Sequence, residues 1–391
     1  MRRTLYIGGT LLAVSVATGS AQAPGFAVDK LWPKPFPVAK KWILGSVTGV
    51  AVDAQDRIWV VHRGVDSLQT NEKGPALEPW ASMCCFAAPQ VLAFDASGSL
   101  VSNWEPKDTK SSGGASYDWP ANPAGLAIDA KGNVWIAGGL PTPSLAPPAG
   151  RGGAAGRGRG DAPPPPPADA QVLKFSKDGK FLLQIGKAGQ AAGNDSQTGL
   201  NRPAGVAVDD GANEVYVADG FGNRRIAVFD ANTGAFKRAW GAYGEKPGDE
   251  NPGPYDPSAA PAKQFRTVSC VKIAKDGTVY VCDRQNDRVQ VFNKTGKFVK
   301  EGFVSKSTTG DGSVWDIAFS PDQRFLYVAD GHDKKIWILD RTSLATVGEF
   351  GSGGRYPGQF YGVGSVAVDS KGNVYTGETY EGKRVQKFVK R

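Results

Sequence analysis

The residues able to do chemistry in this chain sit at the ends of apolar strands. Arg63 follows His62, and Arg284 follows Asp283, each one step past such a strand. Two fixed guanidinia at one cavity mouth would suit a carboxylate or other anion through bidentate hydrogen bonds. The competing reading is pairing with Asp283 or Asp219 inside the fold. Histidine is scarce: His62 and His332 are the only two, so no metal can be held by three imidazoles of this chain. The counterparts of His62 after the other strands are Asp219, Asp283, Asp330 and Glu378, acids expected to cap backbone N–H groups of nearby loops. His332 stands between Asp330 and Asp333, a grouping that fits either a metal site or a solvated loop. Arg63, Arg284, His62 and His332, with Phe221 in the loop that opens after Asp219, are the candidate ligand-binding residues.

These positions belong to a repeat. Six copies of one pattern run along the chain, opening at Gly49-Val-Ala-Val-Asp, Gly125-Leu-Ala-Ile-Asp, Gly205-Val-Ala-Val-Asp, Cys270-Val-Lys-Ile-Ala, Asp316-Ile-Ala-Phe-Ser and Ser365-Val-Ala-Val-Asp. Each continues through a turn rich in Asp, Gly or Asn to a second strand with an aromatic and valines, then to a third. The first five copies add a variable fourth strand; the last stops at its third. Period-2 strands in repeats of this length predict an all-β fold, a six-bladed β-propeller. The unmatched segment Gly25–Trp32 is expected to supply the missing outer strand of the last blade and close the ring. Within a blade, the start of strand one and the end of strand two share one face of the disc, beside the axis. Side chains before strand one (Thr48, Ala124, Ala204, Ser269, Trp315 and Gly364) should therefore converge there with Arg63, Phe221 and Arg284.

Composition agrees with a turn-rich β protein: 51 Gly and 27 Pro in 391 residues. Residues 1–23 read as a signal peptide, with Arg2-Arg3, an uncharged stretch and Ala21-Gln22-Ala23 as the cleavage site. The chain is thus expected to be exported (periplasmic or extracellular), with no membrane span after cleavage. Residues 24–391 form the propeller. Residues 140–170, carrying Gly156-Arg-Gly-Arg-Gly160 and Pro163–Pro167, read as a disordered loop inserted in blade 2. Of the net charge of +8, Arg2 and Arg3 account for two. The insert, with three arginines against Asp161 and Asp169, accounts for one more, which leaves +5 and no basic stripe for nucleic acid. Cys270 and Cys282 flank the turn Lys275-Asp276-Gly277, so they should lie close on paired strands. With Cys84 and Cys85 they suggest disulfides whose three pairings stay open.

The strands resemble NHL-type repeats. The runs Val61-His62-Arg63-Gly64, Asp219-Gly220-Phe221-Gly222-Asn223-Arg224-Arg225 and Asp283-Arg284-Gln285-Asn286-Asp287-Arg288 resemble those of the peptidyl-α-hydroxyglycine α-amidating lyases. The resemblance implies a six-bladed propeller with an axial zinc on three histidines, a tyrosine base and two substrate-holding arginines. Carried onto this chain, the arginines are Arg63 and Arg284, the tyrosine position is Phe221, and the histidine positions are Ala124, Ser269 and Gly364. None of those three is a customary zinc ligand. The expected function is consequently an exported binding module taking a small anionic ligand, a peptide C-terminus or a protein partner. The alternative is an active amidating lyase using other ligands, and a calcium-dependent propeller enzyme ranks behind both. No catalytic residue and no cofactor is assigned; zinc or calcium would be the candidates.

Overall fold

In the first, second and sixth repeats the turn is built by the copy's own aspartate. In the first copy, Asp53 accepts hydrogen bonds from the N–H groups of Gln55 and Arg57 (2.9 and 3.0 Å) and from Trp59 Nε1 (2.8 Å). Asp129 repeats this with Lys131, Asn133 and Trp135, and Asp369 with Lys371, Asn373 and the Tyr375 hydroxyl. One carboxylate thus closes the hairpin and fixes the aromatic of strand two, which is why the two recur together.

The computed structural model describes residues 22–106, 117–139, 169–250 and 252–391. All but the last two residues of the expected leader, and residues 140–168 of the insert, lie outside them. Six four-stranded antiparallel sheets form the blades. Blade 1 holds Val47–Val52, Ile58–His62, Val91–Phe94 and Leu100–Trp104. Blade 2 holds Pro123–Ile128, Val134–Gly138, Gln171–Phe175 and Phe181–Gly186. Blade 3 holds Gly205–Asp209, Glu214–Asp219, Arg225–Asp230 and Phe236–Trp240. Blade 4 holds Val268–Ile273, Val279–Asp283, Arg288–Phe292 and Phe298–Phe303. Blade 5 holds Asp316–Phe319, Phe325–Asp330, Lys335–Asp340 and Thr346–Phe350. Blade 6 holds Val363–Val368, Val374–Glu378 and Val385–Lys390, and its outer strand is Phe26–Asp29 from the other end of the chain.

First strands touch those of the next blade all the way round, sixth to first included. Second strands are buried along their whole length, because both faces pack against neighbouring blades. The apolar clusters accordingly lie between blades. Tyr216, Val228 and Trp240 of blade 3 pack with Val271, Val279 and Phe292 of blade 4, and Val60 and Phe94 of blade 1 with Tyr375 and Val385 of blade 6. Phe26 of the closing strand sits edge-on to Tyr327 and 4.6 Å from the Phe350 ring. The expected ring closure is observed.

The cysteines pair as Cys270–Cys282 and Cys84–Cys85. Cys270 and Cys282 are direct cross-strand partners, with Cα atoms 4.9 Å apart. No helix among the described residues is long and apolar enough to cross a membrane.

Truncating Phe26 should loosen the closing strand. Phe26→Ala is expected to cost about 2 kcal/mol, below the range for a fully buried Phe because the side chain is only partly buried. Urea midpoints measure this, and a loss under about 0.5 kcal/mol, the scatter of ordinary surface substitutions, would show that the strand does not seal the ring.

Candidate functional site

A buried acceptor holds the incoming loop of nearly every blade. Asp219 accepts from the Asn201 N–H at 2.8 Å, Asp283 from Arg266 at 2.9 Å and Glu378 from Tyr361 at 2.6 Å. The second oxygen of Asp219 and of Asp283 binds Arg225 Nε or Arg288 Nε, both at 2.9 Å, and Glu378 likewise binds Arg384. In blade 2 the strand ends in Gly138, and Asp169, from the far end of the insert, takes the role by accepting from Ala121 and Asn122. Blade 5 is held by Asp287, which accepts from the Ser313 N–H at 2.8 Å; burial pushes this carboxyl up to about 7. Asp330 instead caps its own outgoing loop at His332 and Asp333, and burial raises it to about 6. The capping role expected for these acids is observed.

His62 performs the same task in blade 1. Its Nδ1 accepts from the N–H groups of Gly45 and Gly64 at 3.1 and 3.0 Å, so Nε2 carries the proton and donates to Pro89 O at 3.0 Å. The ring is fully buried and every nitrogen is used, so it presents nothing to a ligand. Expected among the ligand-binding residues, His62 is instead the neutral equivalent of the capping acids. His332 is also absent from the cavity; it is exposed in its loop.

With the incoming loops fixed, all six residues expected before the first strands line one axial cavity of about 230 Å³. Ala204 and Trp315 stand just before their strands, whereas Thr48, Ala124, Ser269 and Gly364 are the second residues of theirs, because those strands begin earlier than the repeat pattern suggests. Arg63, Phe221 and Arg284 line it as expected. The two arginines differ in state. Arg284 is 7% exposed, donates from Nε to Asp311 O at 2.6 Å, places Nη2 3.3 Å from Asp311 Oδ2 and stacks 3.4 Å from the Trp315 ring centroid. Its partner is thus neither Asp283 nor Asp219. Arg63 has no ion pair within 4 Å among the described residues, and its buried Nε has no hydrogen-bond partner there. Burial works against its charge, opposed by the fields of Asp66 and Asp169.

Two further features escaped the sequence reading. Lys272 and Asp316 meet across the cavity wall at 3.2 Å, and the other Asp316 oxygen accepts from the Val366 N–H. Thr379 and Tyr380 line the mouth on blade 6. A signal for Tyr380 was present: it stands two residues past Glu378, as Phe221 stands two past Asp219.

The donor set does not fit zinc. Ala124 and Gly364 offer no side-chain donor, the Ser269 hydroxyl donates to Val314 O at 2.9 Å, and Cys270 is tied in its disulfide. Among the described residues no three His, Cys, Asp or Glu side chains group to hold a metal.

The NHL repeat model matches residues 200–229, which span the first two strands of blade 3 and most of the third. The chain is a six-bladed propeller with an NHL-type repeat in its third blade. It is 28% identical over 302 residues to peptidyl-glycine alpha-amidating monooxygenase B of Xenopus laevis, covering 74% of this chain and 27% of that protein. It spans only about a quarter of the length of such relatives. NHL repeat-containing protein 3 of Homo sapiens is 27% identical over 181 residues, 46% of each chain. A solved streptogramin B lyase aligns over 94% of this chain and 98% of that chain, at 12% identity and a TM-score of 0.49.

The neutral, buried His62 makes stability pH-dependent. Burial lowers its pKa from 6.5 to about 4. Between those values the unfolded chain binds a proton that the folded chain refuses, so stability falls as pH drops through the window, by about 3 kcal/mol in all. His62→Asn keeps an acceptor for Gly45 and Gly64 and should remove that part of the slope. Urea midpoints from pH 4 to 7.5 compare the two proteins, and parallel curves would show that His62 titrates freely.

Proposed function

We propose that this protein is an exported, non-enzymatic binding propeller whose axial cavity takes a small carboxylate or a peptide C-terminus on Arg63. The observation that carries the reading is the Arg63 guanidinium, without an ion-pair partner among the described residues, in a largely apolar cavity. Arg284 is neutralised by Asp311, and Lys272 by Asp316, so each would have to break an ion pair to bind an anion. Arg63 needs no such exchange. Export rests on the composition of residues 1–23 and on the pairing of all four cysteines.

The kinship with an amidating monooxygenase favours a second reading, a zinc-dependent lyase. It requires ligands that the axial residues do not offer. The positions of Ala124, Ser269 and Gly364 around one cavity support the correspondence that puts the family's histidines there. A Cβ added at Gly364 would come no closer than 3.3 Å to a neighbour, the Thr379 methyl, so side chains can be accommodated with small shifts.

Two measurements test this. Metal analysis of chelator-dialysed protein should find well under one zinc per chain, and the triple variant Ala124→His, Ser269→His, Gly364→His should acquire one. Stoichiometric zinc in the unaltered protein would reinstate the lyase. Calorimetric titration with N-acetylglycine should show binding that Arg63→Gln weakens at least about tenfold, the loss expected of a charge-assisted contact. Arg284→Gln should have a smaller effect, because that guanidinium is already paired.

A further inference from the structure

Phe221 and Tyr380 occupy the same position of the repeat, on blades 3 and 6. Successive blades touch in chain order around the ring, so these two blades face each other across the axis. Both side chains line the cavity. Tyr380 is anchored on three sides. Its carbonyl accepts from Ser46 Oγ at 2.7 Å, its ring stands edge-on to Trp315 with centroids 6.1 Å apart, and its hydroxyl lies 3.4 Å from Asp311 Oδ2. The Arg284 guanidinium faces that same hydroxyl. Despite these ties Tyr380 is 41% exposed.

A ring held rigidly with open surface toward a cavity is a preorganised platform, because contact with it costs little further ordering. The walls below are apolar, formed by Val50, Leu126, Val206 and Val271. Arg63 stands on blade 1, next to the blade that carries Tyr380. Building on the carboxylate site proposed above, we infer that the cavity selects carboxylates bearing a planar aromatic group, with the carboxylate on Arg63 and the ring against Tyr380 and Phe221. Ser46, before the first strand of blade 1, and Asp311 with Arg284 between blades 4 and 5 hold the platform.

Calorimetric titration of the full chain with N-benzoylglycine and N-acetylglycine separates the two ideas. Benzoylglycine should bind about tenfold more tightly, the increment of one good aromatic contact. Tyr380→Ala and Phe221→Ala should each cut that ratio severalfold, while Tyr380→Phe, which keeps the ring, should preserve most of it. Thermal melts check that the variants are folded. Equal binding of both probes, weakened only by Arg63→Gln, would overturn the aromatic selection and leave the carboxylate site standing. Tyr380→Ala weakening both probes alike would also overturn it. Failure of both probes to bind, or indifference of both to Arg63→Gln, would overturn the carboxylate site and this inference together.

Discussion

A buried acceptor near the inner end of nearly every blade is the contact on which the axis depends. It accepts backbone N–H groups from the loop that brings the chain back to the centre, and in blades 3, 4 and 6 it also binds an arginine at the start of strand three. An unpaired buried carboxylate would be severely destabilising, so these acids persist only because N–H donors and guanidinium saturate them. The loop is thereby pinned at a fixed height. The residue at the inner start of strand one then lines the cavity. That the role passes to Asp169 in blade 2, Asp287 in blade 5 and neutral His62 in blade 1 shows that the requirement is for an acceptor, not a charge.

The same pinning separates the two arginines. Both emerge one residue past a capped strand end, and sequence position treats them alike. Blade 4 lies beside a loop that brings Asp311 within reach and a Trp315 face beneath, which holds Arg284 in place. Among the described residues, blade 1 offers Arg63 no partner at that distance, only the longer-range fields of Asp66 and Asp169. Of the two cavity arginines, one is thus free among the described residues and the other serves as a prop for Tyr380. At Ala124 and Gly364 the wall is small and apolar, and at Ser269 the hydroxyl is turned onto Val314 O.

Much was legible in the sequence because repeats turn one-dimensional spacing into three-dimensional equivalence. The six copies, the Asp-anchored turns, the closing role of Gly25–Trp32 and the six residues at the inner starts of the first strands all follow from hydrogen-bond and patterning rules that act within a repeat or between neighbours. The closeness of Cys270 and Cys282 followed in the same way, from hairpin register alone. What tertiary structure decided depends on contacts between blades and on the paths of loops. It turned His62 inward onto Gly45 and Gly64, left His332 in an exposed loop, paired Arg284 with Asp311 and brought Lys272 onto Asp316. Each of those outcomes rests on side chains distant in sequence or on the direction a loop takes, and strand patterning carries no information about either.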